Sequence, residues 1–215
     1  DGIDWLQATQ RHWAHDSGLA VHNHWHLALM HMNRGEGQAA LALYDQAVAP
    51  APEAISLNLN DASALLWRLA LRGEVVGERW QALAARLRQQ HLFGQIGFND
   101  VHAMLALVSS GDEIAARDGL AAITAAAGRA GGASAWSTVA LPACNAIRAY
   151  VDGRYTLAAE TLLPVLSAHQ ALGGSHAQRD LLHLTVIEAA GRAGDRALVR
   201  ATADERGGRG VVAGK

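Results

Sequence analysis

Apolar residues recur along this chain with the three-to-four-residue spacing of amphipathic helices. Alanine and leucine dominate these runs, as helix propensity favours, whereas β-branched residues are scattered and no stretch alternates as a strand would. The pattern predicts an all-α chain with helices over residues 3–14, 19–33, 36–48, 56–71, 77–90, 99–109, 113–129, 141–151, 155–172, 176–192 and 196–205.

Glycine residues separate the predicted helices at regular intervals. They lie at Gly35, Gly73, Gly111, Gly153 and Gly194, with spacings of 38, 38, 42 and 41 residues. A glycine at such a place supplies the left-handed backbone that ends one helix and lets an antiparallel helix begin. The period is slightly longer than the ~34 residues of a standard tetratricopeptide repeat.

The first of these units follows the tetratricopeptide pattern of large, small, turn, aromatic and terminating proline positions most closely. These positions are occupied by Leu27, Ala28, His31, Gly35, Ala40, Tyr44, Ala47 and Pro52. Small residues at Ala28 and Ala40 allow the two helices of a hairpin to approach each other. We therefore predict a tetratricopeptide-like helical hairpin solenoid that forms a single array over residues 1–206. The glycine-rich residues 207–215 are predicted to be a flexible tail.

Composition narrows the class of protein. With 215 residues, of which 50% are hydrophobic, the chain can bury a large core, and a net charge of -2 argues against a nucleic-acid-binding surface. No apolar run approaches the ~18 residues of a membrane span. The single cysteine, Cys144, is predicted to be a small buried hydrophobe and fits a reducing, cytoplasmic compartment. Because the chain begins with Asp1 rather than Met, we expect it to be part of a longer protein.

The sequence lacks a phosphate-binding glycine loop, a paired-histidine zinc motif and a nucleophile elbow. Polar residues instead recur at similar distances before the turn glycines; His26 and His102 each lie nine residues before one. In a solenoid the first helices of successive hairpins run parallel, so their N-terminal ends should share one rim. The candidate ligand-binding residues at that rim are His22, His26, Asp61, Asn99, Asp100, His102, Gln178, Arg179 and Asp180.

The chemistry of such a rim favours an anionic or carboxylate-bearing ligand. Helix N-termini contribute partial positive charge and free amide donors, and Arg179 can pair with an anion through two hydrogen bonds. His22 and His26 lie one helical turn apart and could share a metal ion with Asp61 or Asp100. No three ligands have a diagnostic metal spacing, however, so we assign no metal and no cofactor.

Structural roles compete with these functional ones. Asp61, Asn99 and Ser175 could each cap a helix N-terminus. His24 and His31, within an apolar hairpin, are expected to be hydrogen-bonded core residues.

Two tryptophans also have two interpretations. Trp25 and Trp67 are most simply core residues. Their positions would also allow them to face a concave groove, where they would anchor a bound peptide.

Several longer blocks carry a family resemblance: residues 22–26 (HNHWH), Asp61 with residues 66–69 (LWRL), Gly77 with residues 79–80 (RW), residues 98–100 (FND) with 102–104 (HAM), and residues 173–180 (GGSHAQRD). These blocks resemble the tetratricopeptide repeat protein 38 family and its bacterial relatives, from about Trp5 to Glu205. The resemblance implies a tetratricopeptide-like fold and a parent protein with further N-terminal repeats. It implies no established reaction.

Two functions follow from these observations. The first is a scaffold whose concave groove binds a peptide or protein partner, as such repeats commonly do. The alternative is a small-ligand-binding protein or enzyme that uses the His/Asp/Arg cluster at the rim, with an anionic ligand and a histidine as the acid–base group. Neither involves nucleic acid or membrane, and the sequence leaves open whether the protein is an enzyme.

Overall fold

The structure, a computed structural model, describes residues 2–14, 18–132 and 134–212. All regular secondary structure within these residues is helical, as the apolar periodicity predicts. The chain divides into two compact units, Asp1–His91 and Leu92–Lys215. The residues of the predicted array, 1–206, fall in both units.

The helices of the first unit are α1 (Gly2–Thr9, continued by a 3-10 turn over Gln10–His12), α2 (Ala20–Asn33), α3 (Gly37–Leu43, continued by a π-helical turn over Tyr44–Val48), α4 (Ser56–Leu71) and α5 (Arg79–Gln90). Helix α2 is central, because it packs against α1, α3 and α4, and α4 in turn packs against α5. The contact between α1 and α2 is apolar and joins Ile3 and Leu6 to Leu27.

The helices of the second unit are α6 (Gly97–Ser109), α7 (Glu113–Ala130), α8 (Leu141–Val151, preceded by a π-helical turn over Trp136–Ala140), α9 (Tyr155–Leu162), α10 (Val165–Ala168, followed by a 3-10 turn over His169–Leu172), α11 (His176–Arg179), α12 (Leu181–Arg192) and α13 (Arg196–Val212). Helix α6 packs against α7 and α8, α8 packs against α9, and α12 packs against both α9 and α13.

The five turn glycines share one hydrogen-bonded geometry. Each has a positive φ, between 75° and 83°, so each adopts the left-handed conformation predicted for it. At Gly35, the glycine amide donates to the carbonyl of Met32, three residues back. The amide of the following residue, Glu36, donates to the carbonyl of His31, five residues back. The same pair of bonds recurs at Gly73, Gly111, Gly153 and Gly194. This is the Schellman ending of a helix, and its repetition confirms that a left-handed glycine ends a helix at each of the five predicted places.

The predicted helix boundaries hold where the amphipathic pattern is uninterrupted, since Ser56–Leu71 and Leu141–Val151 coincide with α4 and α8. Two predicted helices are each divided in the structure. The single helix expected over residues 155–172 breaks at Pro164, which caps α10, because proline lacks the amide that would continue the helix. The single helix expected over residues 176–192 is divided at Asp180 into α11 and α12. Helix α13 continues through residues 207–212, within the predicted flexible tail, and residues 213–215 lie outside the described residues.

Two helices are buried on nearly every face. In α4 every residue from Leu59 to Leu69 is buried, and in α6 every residue from Asp100 to Val108 is buried. Polar residues on these helices therefore have to be satisfied within the protein, because they have no access to bulk water. No helix in the described ranges has both the length and the hydropathy to cross a lipid bilayer.

Candidate functional site

A histidine and a buried aspartate form a hydrogen bond between two helices of the first unit. His22 is in the first turn of α2 and Asp61 in the second turn of α4, and the packing of α2 on α4 brings them together. The His22 Nδ1 to Asp61 Oδ2 distance is 2.9 Å. Asp61 is 0% exposed and the side chain of His22 is 19% exposed. Because a carboxylate only accepts hydrogen bonds, Nδ1 carries the proton and Nε2 is the ring nitrogen left for a ligand.

This contact sets the protonation of His22. The hydrogen bond to Asp61 raises the pKa of His22 above its ordinary value of 6.5; burial opposes the shift, and the negative charge of Asp61 adds to it. His22 thus keeps its proton to a higher pH than a free imidazole does.

His26 lies one turn further along α2 and contacts the same imidazole. The ring centroids of His22 and His26 are 4.7 Å apart, with the planes at 87°. Burial lowers the pKa of His26 below 6.5; a positive charge on His22 lowers it further, and Asp61 opposes the shift. Among the described residues, neither nitrogen of His26 has a hydrogen-bond partner, and Nε2 of His22 has none either. The pair therefore presents free imidazole nitrogens at a half-buried place.

Trp25 packs against both imidazoles from within the core. Its ring stacks on His22 at a centroid distance of 5.2 Å and meets His26 edge-on at 4.8 Å. Trp25 is 0% exposed and Trp67 is 2% exposed, so neither can line a groove that a peptide enters. The predicted groove role of Trp25 and Trp67 is wrong, and both are core residues. The reason is the burial of α4 on nearly every face, together with the packing of α2 against it.

The other two histidines of α2 have internal partners. His24 is buried, and its Nδ1 lies 2.9 Å from the carbonyl oxygen of Ala20, one turn back. His31 pairs with Glu36 at 2.6 Å through Nδ1. Both are hydrogen-bonded as expected of structural histidines. His24 has a partner at each ring nitrogen, because Nε2 of Gln10 lies 3.3 Å from its Nε2. Among the described residues, His31 resembles His22 in that each is hydrogen-bonded at Nδ1 alone, whereas His26 has no hydrogen bond at either nitrogen.

In the second unit, α6 carries Asn99, Asp100 and His102. His102 is buried, and its Nδ1 donates to the carbonyl of Phe98, 2.8 Å away. Asp100 is fully buried and accepts a hydrogen bond from the amide of Gly94 at 3.1 Å. His102 thus differs from His26 in burial, although both lie nine residues before a turn glycine.

The segment around α11 uses its polar residues to hold its own turn. Ser175 and Gln178 form a reciprocal capping box, with each side chain accepting the other residue's backbone amide at 3.2 and 2.9 Å. Nη1 of Arg179 donates to the carbonyls of Gly173 and Gly174. Asp180 accepts two hydrogen bonds from Arg206, at 2.7 and 2.9 Å.

These internal bonds bear on the predicted anion site. One nitrogen of the Arg179 guanidinium is already committed to backbone carbonyls, and Asp180 is paired within the unit. The Asp180–Arg206 pair was not foreseen from the sequence. Its partners are 26 residues apart, and no local spacing signals such a contact.

A small pocket brings some of the predicted residues together in this unit. Its lining includes His102, Gln178 and Arg179, with Phe98 and Leu172 among its apolar members. The space that the centre of a water molecule can occupy is about 10 Å³. That is close to what one water molecule needs, so the pocket in this state does not hold a larger ligand.

Of the three residues predicted as possible helix caps, one caps a helix. Ser175 caps α11 as predicted. Asp61 lies inside α4 and Asn99 inside the first turn of α6, so the capping interpretation is wrong for both. Cys144 is buried, and burial raises the pKa of its thiol well above the usual range, which agrees with a small packing residue.

Each unit therefore assembles part of the predicted set. His22, His26 and Asp61 meet in the first unit, and His102, Gln178 and Arg179 meet in the second. The common rim that would join the two groups stays a prediction. Within residues 2–14, 18–132 and 134–212, no group of three or more His, Cys, Asp and Glu side chains could hold a metal ion. No protein-family model matches the chain, and no solved structure matches it.

Proposed function

We propose that the protein is a tetratricopeptide-like helical repeat protein that binds a small ligand through His22 and His26, with Asp61 orienting His22. The observation that carries this proposal is the 2.9 Å bond between Nδ1 of His22 and the buried Asp61. A buried carboxylate is costly unless it is paired, and here its pairing fixes the ring that reaches the surface.

The division of roles follows from the contacts. Asp61 holds the tautomer and orientation of His22, so that Nε2 is the contacting atom. His26 supplies a second imidazole at the same place, and Trp25 keeps both rings in position. When His22 is protonated it can donate to a carboxylate or phosphate oxygen, which suits the anionic ligand expected from the sequence.

The same arrangement supports proton transfer. Neutral His22, with Asp61 on Nδ1, accepts a proton at Nε2, and the aspartate stabilises the imidazolium that results. This is the route by which the site would act as an enzyme. It requires a substrate with an acidic proton or an activated water at Nε2.

Ligand-observed NMR tests the binding site. The whole chain is screened with a set of small carboxylates, phosphates and azoles, in parallel with His22→Gln, His26→Gln and the control His31→Gln. We expect compounds that bind the wild type and the control but are lost in both site variants. Binding that survives His22→Gln, or a screen without hits, would overturn the proposal.

A second candidate function is a scaffold that binds a peptide or protein partner in the cytoplasm. It is supported by the five helix ends that share one hydrogen-bonded geometry, as the units of a repeat array would. The blocks that resemble the tetratricopeptide repeat protein 38 family support the same proposal. This proposal includes two further statements, that the helices form a tetratricopeptide-like array and that the chain is related to this family.

Peptide selection tests the scaffold. A random peptide library displayed on phage is selected against the whole chain, and binding of the selected peptides is measured in solution. The scaffold predicts peptides that bind His22→Gln as well as they bind the wild type. If selection yields no binding peptide, the scaffold proposal fails.

A further inference from the structure

We infer that the pocket beside Arg179 in the second unit is a binding site for a short, unbranched aliphatic carboxylate such as propionate. Nε and Nη2 of Arg179 hold the carboxylate of the ligand, and the pocket receives its terminal methyl group. This site is formed by residues of the second unit and does not depend on the histidine pair of the first.

The guanidinium of Arg179 has one edge engaged and one edge open. Nη1 donates to the carbonyl oxygens of Gly173 and Gly174, which fixes the side chain against its own turn. Nε is buried and has no hydrogen-bond partner among the described residues, and Nη2 makes no hydrogen bond to them either. A buried donor without an acceptor costs free energy, so a ligand that supplies an acceptor there is favoured.

The positive charge of Arg179 is also left without a counter-ion. Among the residues that the structure describes, no carboxylate forms an ion pair with Arg179. Its neighbour Asp180 is paired with Arg206 instead, through hydrogen bonds of 2.7 and 2.9 Å. A guanidinium presents Nε and Nη2 side by side, and this planar fork matches the two oxygens of a carboxylate.

The pocket next to this edge is small and mostly apolar. Arg179 lines it together with Phe98, Val101, Leu172 and Leu182. The centre of a water molecule has about 10 Å³ to occupy, so the pocket receives one group of about that size. Water gives up hydrogen bonds when it enters an apolar space, whereas a methyl group gives up none, so the end of a hydrocarbon chain is the better occupant.

The two other polar residues of the lining have partners within the unit. Nδ1 of His102 donates to the carbonyl of Phe98, and Gln178 forms the capping box with Ser175. Arg179 is therefore the residue of the lining whose charge is available to a ligand.

The open edge and the apolar pocket together select the class of ligand. A carboxylate satisfies both donors with its two oxygens. A phosphate would bring further charged oxygens against apolar side chains, where their burial is costly. Because the pocket adjoins the guanidinium and accepts one small group, the chain between the carboxylate and the methyl group must be short and unbranched.

NMR titration of the whole, ¹⁵N-arginine-labelled chain with formate, propionate and isobutyrate at constant ionic strength tests the inference. Propionate should shift the Nε–H resonance of Arg179 in a saturable way. Burial of one methyl group contributes about fourfold in affinity, so propionate should bind at least about fourfold more tightly than formate. Isobutyrate is branched and should bind more weakly than propionate.

Two variants separate the roles of the edge and the pocket, with binding followed through the proton resonances of the ligand. Arg179→Lys keeps the positive charge but lacks the two-donor edge, so it should weaken propionate binding by at least about tenfold. Val101→Ile adds a methyl group to the lining, so it should remove the preference for propionate while formate still binds.

Arg117→Gln is the matched control, because it removes an exposed arginine of the same unit, and it should bind propionate as the wild type does. Circular dichroism checks that each variant keeps its helicity. The inference would be overturned by the lack of a saturable shift at Arg179, by equal affinity for formate and propionate, or by undiminished binding to Arg179→Lys. A preference for propionate that persists in Val101→Ile would overturn the role of the pocket.

His22→Gln distinguishes this site from the one proposed in the first unit. It should bind propionate as the wild type does, whatever the outcome of the ligand screen at the histidine pair. Propionate binding that is lost in His22→Gln and kept in Arg179→Lys would place the ligand at the histidines and would overturn the site at Arg179.

Discussion

Asp61 and His22 are 39 residues apart in the chain, yet Oδ2 of the aspartate accepts a hydrogen bond from Nδ1 of the histidine at 2.9 Å. The aspartate is fully buried in α4, and the histidine projects from the first turn of α2 toward the surface. A buried charge thus acts on an accessible base. The consequences for protonation and stability can be measured directly.

Replacing Asp61 by Asn should lower the pKa of His22. The variant keeps the shape of the side chain but replaces the carboxylate whose hydrogen bond with Nδ1 is the largest cause of the raised pKa, and it also removes the negative charge that adds to the shift. An NMR titration of the imidazole carbon protons follows each histidine separately. His31, paired with Glu36, is the internal control, and its resonances at a fixed pH should be the same in the variant and the wild type. An unchanged His22 titration would show that the bond to Asp61 does not govern it.

The same substitution should also cost stability. Hydrogen bonds to charged groups contribute about 1.5 to 3 kcal/mol, and a buried partner left unsatisfied costs a similar amount. Urea unfolding at neutral pH, compared with the wild type, measures the loss in free energy of unfolding. A variant as stable as the wild type would mean that α2 and α4 do not depend on the pair.

The stabilising contribution of His22 should fade as pH rises. Its pKa is higher in the folded chain than the ordinary 6.5, so the folded state holds the proton more tightly than the unfolded state. The contribution is complete below 6.5 and is lost as pH rises through the folded value. Unfolding free energies of wild type and His22→Gln, measured from about pH 5.5 to about pH 8.5, should therefore converge with rising pH.

His26 provides the opposite slope as a check. Its pKa is lowered in the folded chain, so protonation favours unfolding, and the wild type loses stability relative to His26→Gln as pH falls. The difference in unfolding free energy between wild type and variant should change with pH in opposite directions for His22→Gln and His26→Gln. A change in the same direction for both would contradict the opposite pKa shifts of the two histidines.

A side chain at a turn glycine should lower the stability of the protein, because of backbone conformation alone. Gly111 has a φ of 77° and open space around the place of a Cβ, so Gly111→Ala should cost about 1 to 2 kcal/mol through strain. Gly128 is the matched control, because it also faces open space but lies inside α7 with ordinary helical backbone. Gly128→Ala should stabilise the chain by about 0.5 to 1 kcal/mol. Thermal unfolding of both variants measures the loss of stability expected for Gly111→Ala and the gain expected for Gly128→Ala.

Substitution of Trp67, with Trp5 as a control, tests whether Trp67 lies in the core or lines a groove. Trp67→Ala should lower the free energy of unfolding by about 3 to 5 kcal/mol, because it leaves a cavity in the core. Trp5 is 65% exposed, and Trp5→Ala should change stability by less than about 0.5 kcal/mol. Denaturant unfolding distinguishes the two. A small loss in the free energy of unfolding for Trp67→Ala would contradict the burial of Trp67 and support the hypothesis that it lines a peptide-binding groove.

Local patterns in the sequence were sufficient for the helices and their turns. Helix periodicity depends on neighbours three and four residues away, and a left-handed helix end depends on a glycine, so both can be predicted along the chain. The bounds of α4 and the positive φ of Gly35 are examples. The break at Pro164 also has a local cause, because a proline cannot continue a helix.

Tertiary packing determined which hydrogen-bond partners the polar residues found. The sequence selected His22, His26 and Asp61 as candidates, but only the packing of α2 on α4 determined that Asp61 would orient His22. The same holds for Asp180, whose partner Arg206 lies on a helix with no sequence signal for the contact.

The sequence by itself therefore determined the helical hairpins and the residue types available for chemistry. The tertiary structure alone decided that Trp25 and Trp67 are buried, that Asp61 is 0% exposed, and that His26 has no hydrogen bond at either ring nitrogen among the described residues. The physical reason is range: periodicity and turn conformation arise from contacts within a few residues. Burial and hydrogen-bond partners depend on which helices meet, and that is settled by the whole core.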